Sequence, residues 1–207
     1  MLVPIHEEMT REALASYFSP PALEIIIAAN CKQDALSRQI GHDEYHFDNN
    51  AMDKGFRYII EQRGFVIASL LSPGVLTAWI AFGKLLHTAQ DFYAHTNYIP
   101  MWLDQFDGAP PAPHDIDPIQ TSLVKSPMLH SGKIYFPMDA LYFIPIFRKI
   151  SLSFLPHDSH GKMNLDSQKQ GARFAYARAA AIKRTAYEFD LLKNILTPEM
   201  FAKFTDL

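Results

Sequence analysis

The sequence predicts an all-α fold, a multi-helix bundle interrupted by one irregular, Pro- and aromatic-rich insert. Apolar residues recur at helical spacing on both sides of that insert, the segment 166–193 is rich in alanine, and Pro and Gly punctuate the chain where helices should end. Of 207 residues, 48% are hydrophobic and 20% charged, the balance of an ordinary folded chain. A domain of this size buries roughly 70% of its unfolded surface, enough for a core without crosslinks. Cys31 is the single cysteine, so no intrachain disulfide is possible.

Taken in order, the apolar positions from Met9 to Phe18 predict a first helix, which Ser19-Pro20-Pro21 should end. A second short helix is expected from Ala22 to about Cys31, and the polar stretch Asp34–Tyr45 reads as a loop. Asp48 or Asn49 can cap a helix running from about Ala51 to Leu71. Ser72-Pro73-Gly74 reads as a turn, with Pro73 suited to the first turn of a helix that continues through His95 or Asn97 until Pro100 stops it. Residues 100–118 carry five prolines and predict an irregular excursion. Residues 134–156 are aromatic-rich and weakly periodic, compatible with short strands or one amphipathic helix. From Asp166 to Lys193 the pattern is strongly helical, with basic residues on the outer face, and Thr197-Pro198-Glu199 starts a last short helix. No repeat or internal boundary appears, so residues 1–207 read as one domain with an insert at about 100–160.

The net charge of -3 excludes the broad basic footprint of a non-specific nucleic-acid binder, and no stable nucleic-acid complex is expected. MLVPIHEEMT has no basic segment followed by an apolar one, so the expectation is a chain that is cytoplasmic as synthesised, or exported without a visible signal peptide. Between Arg63 and Lys84 lie 20 uncharged residues, long enough to span a bilayer. The central Ser-Pro-Gly favours a buried helical hairpin over a transmembrane segment.

Nine histidines against one cysteine direct any transition-metal site towards nitrogen and oxygen ligands. The strongest local signal is HTAQDFYAHTN, in which His87, Asp91 and His95 are spaced four apart. On a helix they project at relative angles of about 0°, 40° and 80°, close enough to converge on one or two ions. The same stripe also carries Thr77, Lys84 and Thr88, which fits an ordinary solvated polar face instead. Further His and Asp residues stand at the ends of other predicted helices: His6, Asp34, His42, His46, Asp48, His157, His160 and Asp166. Bundle proteins assemble metal clusters from facing helices in this way. Singly, each has a plainer reading: Asp48 as an N-cap, His6 and His42 as surface residues.

The run LLHTAQDFYAHTNY resembles the signature of the zinc-dependent phospholipase C and single-strand-nuclease superfamily, and within it the Het-C-like branch related to the heterokaryon-incompatibility protein. HFDN at His46–Asn49 and H-x-x-M-N-L-D at His160–Asp166 are similar to two further family segments, the latter followed by a helix with Ala179, Ala180 and Thr185. The resemblance implies an all-α fold of the phospholipase C type holding two or three Zn2+ ions at the bottom of a cleft. It implies Asp34, His46, His87 and Asp91 around a first ion. His95, His160 and Asp166 would hold a second, and Asp91 would bridge to a third held by His6, where relatives also use the N-terminal amine. The chain departs from the phospholipase pattern in having His-x3-Asp-x3-His and no His-x3-Glu pair after His95.

The activity so implied is zinc-dependent phosphodiester hydrolysis, with Asp34 and Asp91 as the catalytic carboxylates and hydroxide generated at the metal as nucleophile. The favoured substrate is a phosphatidylcholine-like lipid, acted on with peripheral membrane contact and no transmembrane segment. Aromatic residues could receive a choline head group, a lipid interface or a base, or could simply be core: Tyr98 and Trp102 with Met101, and then Tyr135, Phe136, Tyr142, Phe143, Phe147 and Phe154. The alternatives are a nuclease or phosphomonoesterase of the same fold, or a non-catalytic, metal-stabilised toxin-like or recognition protein. Cys31 reads as structural, and His42, His114, His130 and His157 as ordinary surface residues.

Overall fold

Helices form over most of the segments with helical apolar spacing, although the first runs Val3–Leu14 and not Met9–Phe18, and among the described residues no strand forms. The computed structural model describes residues 1–142 and 146–207. Helix α1 (Val3–Leu14) carries Pro4 in its first turn. Ser19-Pro20-Pro21, expected only to end that helix, builds the start of α2 (Pro20–Cys31). The Ser19 hydroxyl accepts the Ala22 N–H at 3.3 Å, and the prolines stand where a helix needs no N–H. The stretch read as a loop holds a 3₁₀ turn (Lys32–Asp34) and two one-turn helices, α3 (Leu36–Gln39) and α4 (Asp43–His46).

Helices α5 (Met52–Leu70) and α6 (Leu76–His95) form the expected hairpin, with Pro73 left in its turn. No described helix is long and apolar enough to cross a membrane. Helix α6 stops at His95, short of Pro100, because Thr96 turns extended and bridges to Ser131. Pro100 then falls in the first turn of α7 (Tyr98–Leu103), where its missing N–H costs nothing. The insert contains the short helices α8 (Thr121–Val124), α9 (Met138–Tyr142) and α10 (Arg148–Phe154), so among its described residues the aromatic stretch forms separate short helices and no strand. Phe143 and the side chain of Tyr142 lie outside the described residues. After α11 (His160–Met163) come α12 (Arg173–Ile195), which starts later than Asp166, and α13 (Pro198–Thr205), capped by the Thr197 hydroxyl.

Helix α6 is the axis, packed against α2, α5 and α12, while α1 lies across α2 and α12. A helix enclosed on several sides must be apolar or neutralised all round. Phe82, Leu85, Leu86, Ala89, Phe92 and Tyr93 supply the apolar part and are fully buried. Gly83 supplies closeness: a Cβ there would lie 2.3 Å from the Ile26 carbonyl oxygen and 2.7 Å from the Ala29 Cβ. On α12, Ala177, Ala180 and Ala181 are buried, keeping that helix close as well. The outer face of α12 is basic as expected except at Arg184, which turns inward to Glu188 at 2.8 Å, with Arg63 reaching the same carboxylate from α5 at 2.5 Å.

Gly83→Ala should lower stability by about 1–3 kcal/mol, since the methyl group meets backbone that cannot give way. Gly64→Ala, on an exposed face of α5 with open space around it, should raise stability by up to about 1 kcal/mol. Denaturant midpoints of the two variants check the contrast.

Candidate metal centre

The solvated-face alternative for α6 fails at its C-terminal half. His87 and Asp91 are 0% exposed and His95 is 5% exposed, so the stripe points into the protein. A buried carboxylate needs compensation, and Asp91 gathers it from four directions. Its Oδ2 lies 3.0 Å from His46 Nδ1 and 3.0 Å from His87 Nε2. Its Oδ1 contacts the Met1 amine and lies 3.1 Å from His6 Nε2 and 4.0 Å from His95 Nε2. Asp34, on the 3₁₀ turn after α2, stands 3.8 Å from His87 Nε2 and 4.0 Å from His6 Nε2. Asp34, His46, His87 and Asp91 bring one ligand atom each within 4.8 Å of one another.

A second group lies beside the first. Asp48, His95 and His160 likewise converge within 4.8 Å. His160 Nδ1 is 2.8 Å from Asp48 Oδ1, and His95 Nε2 is 3.1 Å from Asp166 Oδ1. The two groups share the turn HFDNN. Phe47 is fully buried with φ 58°, a left-handed conformation uncommon for a bulky residue. It seats its ring so close beneath α5 that a Cβ on Gly55 would lie 2.6 Å from it. That kink sends His46 to the first group and Asp48 to the second. Asn49 and Asn50, also at positive φ, continue the turn and hold the insert: the Asn49 carbonyl oxygen of the side chain accepts the Ile134 N–H and that of Asn50 accepts the Ser131 N–H, both at 2.7 Å.

Behind the histidines runs a buried polar network from α1, α2, α6 and α12. His6 Nδ1 meets Gln90 Oε1 at 2.7 Å, and His87 Nδ1 meets Asn30 Oδ1 at 3.2 Å. The Asn30 amide donates to Thr10 and Gln90, and the Gln90 amide donates to Thr10 and Thr185. His95 Nδ1 donates to the His46 carbonyl oxygen at 2.7 Å. In all three imidazoles Nδ1 thus carries the proton and Nε2 is turned towards carboxylates. An acceptor fixing the far N–H is the arrangement that orients a metal-ligating histidine.

Charge follows the geometry. Burial, the largest influence, pushes His87 down to about 4 against the pull of Asp91, so it is neutral at pH 7. Burial also opposes charge on His95, but Asp91 and Asp48 outweigh it and lift the imidazole to about 10. His160 is raised as well, against burial, chiefly by Asp48. Burial would raise Asp91, yet the amine, His95, His87 and His6 hold it well below the carboxylate range. Asp166 and Asp48 are lowered in the same way, against burial, by the amine and His95 and by His160 and His95 respectively.

The donor set fits a divalent transition metal. Neutral His87, its proton on the Asn30 side, presents a lone pair 3.0 Å from an anionic oxygen of Asp91. His46 Nδ1 lies 3.1 Å from that nitrogen and 3.0 Å from the same oxygen, so either its N–H or a metal cation can reconcile the two acceptors. His6 Nε2, His46 Nε2 and Asp34 Oδ2 are buried without hydrogen-bond partners, further capacity of the same kind. The oxygen and nitrogen ligands suit zinc, as the histidine excess implies.

All eight expected ligands, His6, Asp34, His46, His87, Asp91, His95, His160 and Asp166, meet here. Asp48 belongs with them, and its expected capping role is absent: α5 has no side-chain cap. The signal for it was HFDN itself, two residues after His46. Asn30, Gln90 and Thr10 were not foreseen, since polar residues inside apolar helices carry no spacing signature. His114, His130 and His157 are exposed and His42 half-buried, away from both groups. Burial, with Glu7 and Asp34 nearby, pushes the Cys31 thiol up to about 11, consistent with a structural role. Tyr98 and Trp102 are core, whereas Phe136, Phe147 and Phe154 are exposed.

Residues 7–106 match the model of a protein family described as the VWA7 N-terminal domain. The matched span holds Asp34, His46, Asp48, His87, Asp91 and His95, and leaves out His6, His160 and Asp166. No curated protein and no solved structure matches the chain.

Asp91→Asn should lose at least one ion by elemental analysis, because its two oxygens face separate ligand sets; unchanged metal content would remove it from the centre. Zinc binding at pH 7 should release about one proton per chain, displaced from His95, whose pKa, raised to about 10, keeps it charged without metal. Calorimetry in buffers of different ionisation enthalpy reads this directly, and a buffer-independent enthalpy would exclude His95 as a ligand.

Proposed function

We propose that this chain is a zinc-dependent phosphodiester hydrolase of the phospholipase C-like, Het-C-related type, acting on phosphatidylcholine-like lipids. The observation that carries the proposal is the pairing of two ligand groups around one carboxylate, with unprotonated His87 nitrogen held against Asp91. Metal bound by these residues would supply Lewis acidity towards a phosphate ester and a nucleophilic water near neutral pH. The protein's own part follows from burial. Asp91 and His87, wholly enclosed, hold the geometry and exclude bulk water. Asp34 and Asp166 are partly exposed, at 16% each, and mark the side from which a substrate enters. Asp34 Oδ2 has no hydrogen-bond partner and can orient the attacking water and accept its proton.

A cavity of about 570 Å³ adjoins this side. It is lined by Thr96 and Leu165, the neighbours of His95 and Asp166, and by Lys162 and Arg173, cations suited to a phosphate. Without a broad basic groove, a head-group ester is favoured over a nucleic-acid strand. One observation favours a non-catalytic, metal-stabilised recognition protein instead: the ligands are nearly all buried, and the cavity lies beside the two groups and not over them.

The test is elemental analysis joined to hydrolysis of a chromogenic phosphorylcholine ester. Turnover should require metal, vanish with chelator and return with zinc, and Asp34→Asn should lower it by about 10²-fold or more. Protein carrying its full zinc yet inert towards lipid, nucleotide and chromogenic esters would establish the non-catalytic reading. Preference for nucleotide esters would move the assignment to a nuclease or phosphomonoesterase.

A further inference from the structure

The second ligand group and the cavity beside it are built on two sides of the same short stretches of chain. His160 and Lys162 stand two residues apart on α11, about 200° around the helix axis, and so point to opposite sides. His160 turns inward to Asp48 and His95, while Lys162 lines the cavity of about 570 Å³. The same division holds where Thr96 follows His95 and Leu165 precedes Asp166: the ligand faces the centre and its neighbour lines the cavity. The Leu165 N–H donates to the Ala94 carbonyl oxygen at 2.8 Å and fastens these stretches together. An occupant of the cavity is therefore parted from the second group by a shared wall and is not the group that a metal there would activate.

Hydrogen bonding decides what the cavity can hold, because most polar groups of its wall are already committed. Thr96 Oγ1 donates to the Phe92 carbonyl oxygen at 2.6 Å, and the Asn97 side chain bonds the backbone of Met128 and His130. The Gln170 amide donates to Asn164 at 3.0 Å, and its oxygen accepts the Ser167 hydroxyl at 2.7 Å. The carboxylate of Asp158 is matched by Lys133 Nζ and the Tyr135 hydroxyl, both at 2.9 Å. Lys162 and Arg173 remain, with His157 beside them. Among the described residues neither cation forms an ion pair. With Asp158 offset by Lys133, the wall presents two uncompensated positive charges in a chain whose net charge is -3.

Two such cations match a dianion. A phosphate monoester offers the charge together with several acceptor oxygens, which suit both the compact ammonium of Lys162 and the planar fork of Arg173. A single carboxylate would leave one cation unmatched. A quaternary ammonium would be repelled, and among the described residues no Phe, Tyr or Trp lines the cavity to receive one. The volume is that of a small-molecule site.

We propose that this cavity binds the dianionic phosphate of a phosphomonoester, at a site separate from the metal centre and built on Lys162 and Arg173. The site stands whether or not the centre hydrolyses esters.

The experiment is calorimetric titration of the zinc-loaded protein with inorganic phosphate, with glycerol 3-phosphate, with vesicles carrying phosphatidic acid, and with choline chloride. Wild type should bind the two soluble phosphates and not choline. The double variant Lys162→Ala/Arg173→Ala, altered only at exposed positions, should bind phosphate at least about tenfold more weakly while keeping the wild-type zinc content. Unchanged phosphate affinity in the double variant assigns the anion to the metal and overturns the proposal, even where the chromogenic ester is cleaved and the hydrolase reading survives. Weakened binding in the double variant upholds the proposal even where no ester is cleaved. Binding of phosphatidic acid without the soluble phosphates upholds the site and assigns its phosphate to a lipid. A wild type that binds phosphate in none of these forms, or binds choline as well as phosphate, overturns it.

Discussion

A fully buried carboxylate, Asp91, sets the terms for the rest of this molecule. An isolated charge in so dry a place would be untenable, and it persists only because an amine and four imidazoles surround it. Those partners come from the N-terminal segment, α1, α4 and α6, so the neutralisation of one side chain draws together parts of the chain up to ninety residues apart. Helix α6 occupies the centre because it must offer Asp91 to all of them, and its Gly and Ala positions let the neighbours come near enough to answer.

The same constraint explains the polar residues inside otherwise apolar helices. Thr10, Asn30, Gln90 and Thr185 look misplaced in a core, yet together they satisfy one another and hold the Nδ1 protons of His6 and His87. A network of this kind is costly if incomplete and rigid if complete. Here it decides which imidazole nitrogen is bare, and that choice separates a metal ligand from a hydrogen-bond donor. A salt-bridge reading of the cluster would need protonated imidazoles throughout; neutral His87 does not supply one.

The insert answers to different physics. Its base is held by backbone hydrogen bonds to Asn49, Asn50, Asp139 and the His160 segment, which fix where it leaves the bundle. Beyond that base Phe136, Ile146, Ile150 and Phe154 are exposed, while Ile116, Leu123 and Leu155 reach the interior. Segments that fail to pack on their own domain keep their hydrophobic free energy available for another surface.

What the sequence by itself determined is the set of long helices and most of the His and Asp side chains that come together at the candidate centre. Periodicity reports the buried face of a helix, and His and Asp recurring every fourth position on α6 could converge whatever lay around them. The boundaries were less legible: Ser19-Pro20-Pro21 both ends one helix and starts the next, and Pro100 begins a helix where it was expected to end one. The tertiary structure alone decided that the α6 stripe faces inward and not to solvent, because burial depends on what packs against a face and not on the face's own pattern. It alone turned Asp48 from a cap into a partner of His95 and His160, through a left-handed kink at Phe47 that has no signature in residue type. And it alone divided the aromatics, sending Tyr98 and Trp102 to the core and Phe136 and Phe154 outward. Their chemistry is the same, and only the presence or absence of a neighbouring helix distinguishes them.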